Sequence, residues 1–94
     1  MRLAIIVPVL DEGSGIAASL QALQALRARG VRVIVADGGS RDDTCARART
    51  LADDVITAPR GRARQMNAGA AHIGDAADVL LFLHADTRLP EDAD

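Results

Sequence analysis

Three apolar runs in this chain end abruptly in polar residues. Leu3 to Val9 leads into Leu10-Asp11-Glu12, Val31 to Ala36 into Asp37-Gly38-Gly39-Ser40, and Val79 to Leu83 into His84-Ala85-Asp86. Near-continuous runs of Val, Ile and Leu characterise strands buried on both faces of a parallel sheet. In such folds ligands bind just beyond the carboxyl ends of the strands. A fourth, shorter run, Val55 to Ala58, stops at Pro59.

The segments between the runs carry helical spacing. Ile16, Leu20, Leu23 and Leu26 predict one helix, capped by Ser14 and stopped at Gly30. Ser40, with Asp43 placed as in a capping box, predicts a second helix that packs through Ala46, Ala48, Leu51 and Ala52. Residues 61–73 predict a third, closed by Gly74. The order β-α-β-α-β-α-β implies an α/β three-layer sandwich with a mainly parallel sheet covered on both faces. With 94 residues and no linker or repeat, residues 1–94 form a single domain.

Composition narrows the partners. A net charge of -2 argues against a nucleic-acid-binding face. All 11 basic residues are Arg, which a skewed base composition explains, although Arg also suits bidentate phosphate contacts. Phe82 is the sole aromatic residue, so Ala, Val, Leu and Ile must fill the core. Cys45 is the lone cysteine, which excludes an internal disulfide; it is expected as a small buried side chain on a helix. No run is long enough to span a bilayer. The first apolar run is cut by Asp11 and Glu12 with no cleavage site, so a cytoplasmic location is expected.

Three constellations carry chemistry. Asp37 stands in a turn whose glycines permit close approach to bare backbone. Its carboxylate reads equally as a ligand acid or as a turn cap. His84 and Asp86, at i and i+2 of a strand end, project to one side and can share a divalent ion, the imidazole favouring Mn²⁺ over Mg²⁺. In isolation the pair reads more readily as a backbone-bonded His beside a turn-capping Asp. Arg60, Arg64 and Asn67 fall at i, i+4 and i+7, one face of the third helix near its anion-favouring N-terminus. The alternative is a solvated face, to which Arg62 is assigned. Gly13-Ser-Gly15 lacks the third glycine of a dinucleotide fingerprint, and neither a Walker A loop nor a Gly-x-Ser-x-Gly elbow occurs.

Taken together, the strand ends resemble family 2 glycosyltransferases of the GT-A, Rossmann-like fold. The first strand ends Pro8-Val-Leu-Asp11-Glu12, close to a Pro-x-x-Asn-Glu pattern. The second ends Ala36-Asp37-Gly38-Gly39-Ser40, followed by Asp43-Thr44, like an Asp-Asp-Gly-Ser turn followed by Thr. Arg64-Gln-Met-Asn67-Ala-Gly69 matches an Asn- and Gly-bearing helix, and His84-Ala-Asp86 stands where a DxD motif lies. The wording of both segments is similar to the bacterial selenodomain-associated transferase subgroup. The resemblance covers nearly the whole chain and implies the donor-binding part of an incomplete GT-A domain.

What the resemblance implies is specific. A nucleoside-diphosphate sugar would meet Pro8, Glu12, Asp37 and Gly38 through its nucleoside, with Arg60 or Arg64 on the diphosphate and Asn67 nearby. Asp86, with His84 in place of the usual first acid, would hold Mn²⁺ or Mg²⁺. The acceptor site and catalytic base belong to a second half of the family's fold, so no catalytic base is nominated here. Without that half, Val79 to Leu83 would present an apolar edge, and a homo-oligomer or a poorly soluble monomer is expected. The competing readings are a nucleotide-binding or oligomer-forming fragment without turnover, and a nucleotidyl transferase. The latter lacks its basic loop after the first strand. The leading reading requires Glu12, Asp37 and Asp86 to converge on one cleft.

Overall fold

The computed structural model describes residues 2–83. Four strands, β1 (Leu3–Val9), β2 (Arg32–Asp37), β3 (Asp54–Thr57) and β4 (Val79–Phe82), form one sheet in the order β3-β2-β1-β4. Every neighbouring pair is parallel, with Val9 opposite Asp37 and Ile6 opposite Phe82. The apolar runs therefore lie as expected, each strand within a residue or so of its expected bounds.

Alternation along β1 and β2 divides the core into two layers. Ile5, Val7, Val9, Val33 and Val35 pack with Ile16, Leu20 and Leu23 on one face of the sheet. Ala4, Ile6, Ile34 and Ala36 pack with Ile73 on the other. Helices α1 (Gly13–Gln21) and α3 (Thr44–Ala48) supply the first cover, and α4 (Arg62–Ile73) the second. Gly69 brings α4 down onto β1: a Cβ at this position would stand 2.5 Å from Ile6 Cγ2.

The helix boundaries differ from those the sequence suggested. The first helix divides into α1 and α2 (Gln24–Ala28), because the Leu20 carbonyl is taken by the Leu23 N–H and the Gln24 side chain. Leu23 is consequently buried while Leu26 faces solvent. Ser14 does not cap: Glu12 occupies the N-cap, without a side-chain cap bond. Ser40 does not open a helix either. Its hydroxyl and N–H both bond Asp37, so α3 starts only at Thr44, and Asp43 pairs with Arg47 instead of completing a capping box. Gly30 at φ 95° and Gly74 at φ 52° do terminate their helices.

Charge ties at the amino-terminal rim of the sheet make its stability acid-sensitive. The Asp53 carboxylate accepts from the Val33 N–H at 2.7 Å and from Arg27 at 3.2 Å. Burial alone would raise its pKa, but these bonds and the charges of Arg27 and Arg32 outweigh it and hold the group below 3.8. A depressed folded pKa contributes stability above the unfolded value and loses it as pH falls through the folded one. Thermal unfolding midpoints should therefore drop as pH is lowered from 5 toward about 2. Asp53→Asn should flatten that slope; an unchanged slope would show that Asp53 is not the titrating tie.

Candidate nucleotide cleft

The order of the strands reverses at β1. The connections β1-β2 and β2-β3 pack helices on one face, whereas the β3-β4 crossover carries α4 over the other. Such a switch point opens a crevice at the carboxyl ends of the strands. A cleft of about 260 Å³ lies there, lined by Pro8, Val9, Leu10 and Glu12 from the end of β1 and by Arg60, Gly61, Arg62 and Gln65 around the start of α4.

One wall is a stitched pair of loops. Asp11 sits at φ 50°, a left-handed conformation that Asp and Asn reach more easily than most residues. Its N–H donates to Ser40 Oγ at 2.8 Å, and its Oδ1 accepts the Arg41 N–H at 2.7 Å. The Glu12 N–H donates to Thr44 Oγ1 and the Gly13 N–H to Asp42. The N–H groups entering α1 are thus satisfied by Asp42 in the β2-α3 loop and by Thr44 at the start of α3, which fixes Glu12 at the cleft. Asp42 also accepts from Thr44, and these bonds hold its pKa below the ordinary value.

Asp37 leaves β2 on the same rim as Glu12 but turns inward. It is 3% exposed. Its Oδ2 accepts the Gly39 and Ser40 N–H groups at 3.0 and 2.9 Å, and its Oδ1 accepts the Ser40 hydroxyl. This carboxylate closes its own turn and is not among the cleft-lining residues. Cys45, half-buried on α3, has its thiol pKa raised by burial and then by the negative charge of Asp37. It is a protonated thiol at neutral pH.

The basic wall also departs from the expected pattern. Since α4 begins at Arg62, Arg60 lies in the turn before it and shares no helical face with Arg64 and Asn67. Arg62, assigned to solvent by its spacing, lines the cleft beside Arg60; Arg64 and Asn67 are exposed and outside it. None of the three arginines forms an ion pair among the described residues. The N-terminus of α4 has no side-chain cap. Its open N–H groups and two arginines make this side of the cleft attractive to an anion.

The remaining strand-end pair, His84 and Asp86, lies outside the described residues, so the expected convergence of three carboxylates rests here on Glu12 and Asp37. Among the described residues no group of three or more His, Cys, Asp or Glu side chains could hold a metal ion. None of the helices described is long and apolar enough to cross a membrane.

Gln65 is the residue the sequence did not point to. It is 4% exposed, on the face of α4 that also buries Gly69 and Ile73. Its spacing with those two, i, i+4 and i+8, was the available signal.

Known proteins carry the same architecture. The chain is 33% identical over 95 residues to succinoglycan biosynthesis protein ExoA of Rhizobium meliloti (strain 1021), covering 94% of this chain and 29% of that protein. Its fold matches glucosyl-3-phosphoglycerate synthase from Mycobacterium tuberculosis, solved with Mn²⁺, UDP and glucosyl-3-phosphoglycerate, with a TM-score of 0.80 at 23% identity. That match covers 90% of this chain and 33% of the synthase. It also matches mannosyltransferase PcManGT from Pyrobaculum calidifontis, solved with GDP-Man and Mn²⁺, with a TM-score of 0.76 at 24% identity, over 95% of this chain and 28% of that one. The chain thus spans about a third or less of the length of these proteins. The sequence profile of the family described as Glycosyl transferase family 2 matches residues 4–94, and the chain belongs to that family.

Proposed function

We propose that this chain binds a nucleoside-diphosphate sugar and forms the donor-binding part of a glycosyltransferase. The observation that carries the reading is the cleft itself. At the switch point of a parallel sheet, Glu12 faces Arg60, Arg62 and the uncapped start of α4. A diphosphate fits the basic wall, and the nucleoside the wall formed by Pro8, Leu10 and Glu12, with the Asp37-Gly38 turn behind it. Arg64 and Asn67, about half a turn and a turn and a half past Arg62 on α4, would meet only a portion of the ligand that extends outside the cleft. The neighbours solved with UDP or GDP-Man support this class of ligand.

A divalent ion, Mn²⁺ or Mg²⁺, belongs to the same proposal through Asp86 and His84. An imidazole and a carboxylate form a nitrogen-oxygen donor set suited to Mn²⁺. The bound ion would offset charge developing on the diphosphate leaving group. A second reading is nucleotide binding without turnover. Donor hydrolysis or transfer by the purified chain decides between the two.

Calorimetric titration with UDP and with GDP tests binding. One of the two should bind, more tightly with Mn²⁺, and Asp86→Ala should remove the gain. Arg60→Ala with Arg62→Ala should weaken binding by roughly 30- to 150-fold, taking about 1–1.5 kcal/mol per contact. Binding indifferent to both arginines would move the diphosphate elsewhere.

A further inference from the structure

Gln65 reaches three separate backbone segments. Its Nε2 donates to the Val9 carbonyl and to the Ala36 carbonyl, both at 2.8 Å, while its Oε1 accepts the Gly61 N–H at 3.1 Å. Two carbonyl acceptors and one N–H donor fix which end of the amide is which. The bonded groups are the last carbonyl of β1, the last but one of β2, and the N–H of Gly61 between Arg60 and Arg62. Gly61 itself stands at φ 133°, in a region that disfavours side chains.

The place for this amide is made by a second residue. A Cβ on Gly38 would lie 2.7 Å from Gln65 Oε1 and 2.8 Å from its Cδ. The bare backbone of Gly38, which the sequence suggested would admit a ligand, admits Gln65. The glycine after β2 and the glutamine of α4 are one packing unit, although 27 positions separate them in the chain.

We propose that Gln65 is a positioning residue: it clamps the Arg60-Gly61-Arg62 turn to the ends of β1 and β2, setting the two arginines opposite Glu12 at the depth a diphosphate requires. The functional half of this statement rests on the nucleotide reading of the cleft. The clamp does not. Without the Gln65 amide the turn keeps its charges but loses its tie to the sheet, because the Gly61 N–H then has no acceptor and only the helical bond from the Gln65 N–H to the Gly61 carbonyl still holds that residue, to α4 alone. Preorganised arginines bind an anion more tightly than arginines that must be ordered by it.

The test compares wild type with Gln65→Met, which conserves volume but removes all three bonds, and with Gly38→Ala, which displaces the amide while leaving it intact. Amide hydrogen exchange by NMR reads the clamp at Gly61, with the Ile6 and Ile34 amides reporting global opening. UDP or GDP titration reads the consequence. In both variants Gly61 protection should fall by about tenfold or more relative to the core amides, and the nucleotide Kd should rise by a similar factor. The double variant should be little worse than either single one, as expected for residues acting as a unit. Unchanged Gly61 protection overturns the proposal. So does weakened nucleotide binding with Gly61 still protected, which would make Gln65 a direct ligand contact. If wild type binds neither UDP nor GDP, the nucleotide reading fails while the exchange data still decide the clamp. If Gln65→Met does not fold, Gly38→Ala carries the same comparison.

Discussion

Asp37→Ala will lower the free energy of unfolding by about 3 kcal/mol, a large share of what a domain of this size possesses. The carboxylate is hydrogen-bonded by the Cys45 thiol as well as by the loop after β2, and its removal leaves the N–H groups of Gly39 and Ser40 and the Ser40 hydroxyl without their acceptor. Hydrogen bonds to a charged group contribute about 1.5–3 kcal/mol each when buried. The full sum is not expected, because Gly39 is exposed and water can replace its partner. Asp37→Asn keeps one acceptor oxygen and should cost about half as much. Ser40→Ala removes the bond to Asp37 and also the acceptor for the Asp11 N–H, so it too should fall between wild type and Asp37→Ala. Urea unfolding of the three variants gives the ranking. If Asp37→Ala unfolds like wild type, the turn does not depend on this acid.

Self-association through β4 is the expected behaviour of this chain, and charged residues in place of Leu81 and Phe82 should leave it monomeric. Among the described residues β4 pairs with β1 alone, so its outer edge offers unpaired backbone groups. Leu81 is 50% and Phe82 47% exposed, and alternation sends them to opposite faces of the sheet. Covering the free halves of both side chains removes on the order of 150–200 Å² of apolar surface per copy, about 4–5 kcal/mol at ~25 cal/mol/Å². A second copy meeting edge to edge adds strand hydrogen bonds to that term. Light scattering at about 100 µM should show dimers or larger species for wild type and monomers for Leu81→Lys with Phe82→Glu. A wild type that stays monomeric at this concentration would remove the edge as a site of self-association.

The strands were legible because a parallel strand covered on both faces has no alternative to a continuous apolar run. Val33 to Ala36 and Ala4 to Val7 are nearly inaccessible, and their composition says so directly. Helix starts were not legible, since they depended on hydrogen bonds between distant segments. Ser40 looks like a cap until one knows that Asp37 claims its N–H and hydroxyl. The arginines followed the same rule: i, i+4 and i+7 selected the wrong partner for Arg60, because Gly61 delays the helix by one residue and swings Arg62 into the cleft. Gln65 escaped notice because a glutamine in a helix ordinarily means solvent, and its three bonds all reach backbone rather than side chains. Family resemblance supplied the ligand class that neither Asp37 nor His84-x-Asp86 could supply by itself.

The central position of β1 also governs how this protein comes into being. The earliest made of the four strands described is one of the two that need neighbours on both sides, and one of its neighbours, β4, follows about 70 residues later. The Arg2 N–H finds Asp78 only then. Until that moment the longest of these strands waits with one flank open, so assembly is slow relative to a helical protein of equal length and exposed to chaperones.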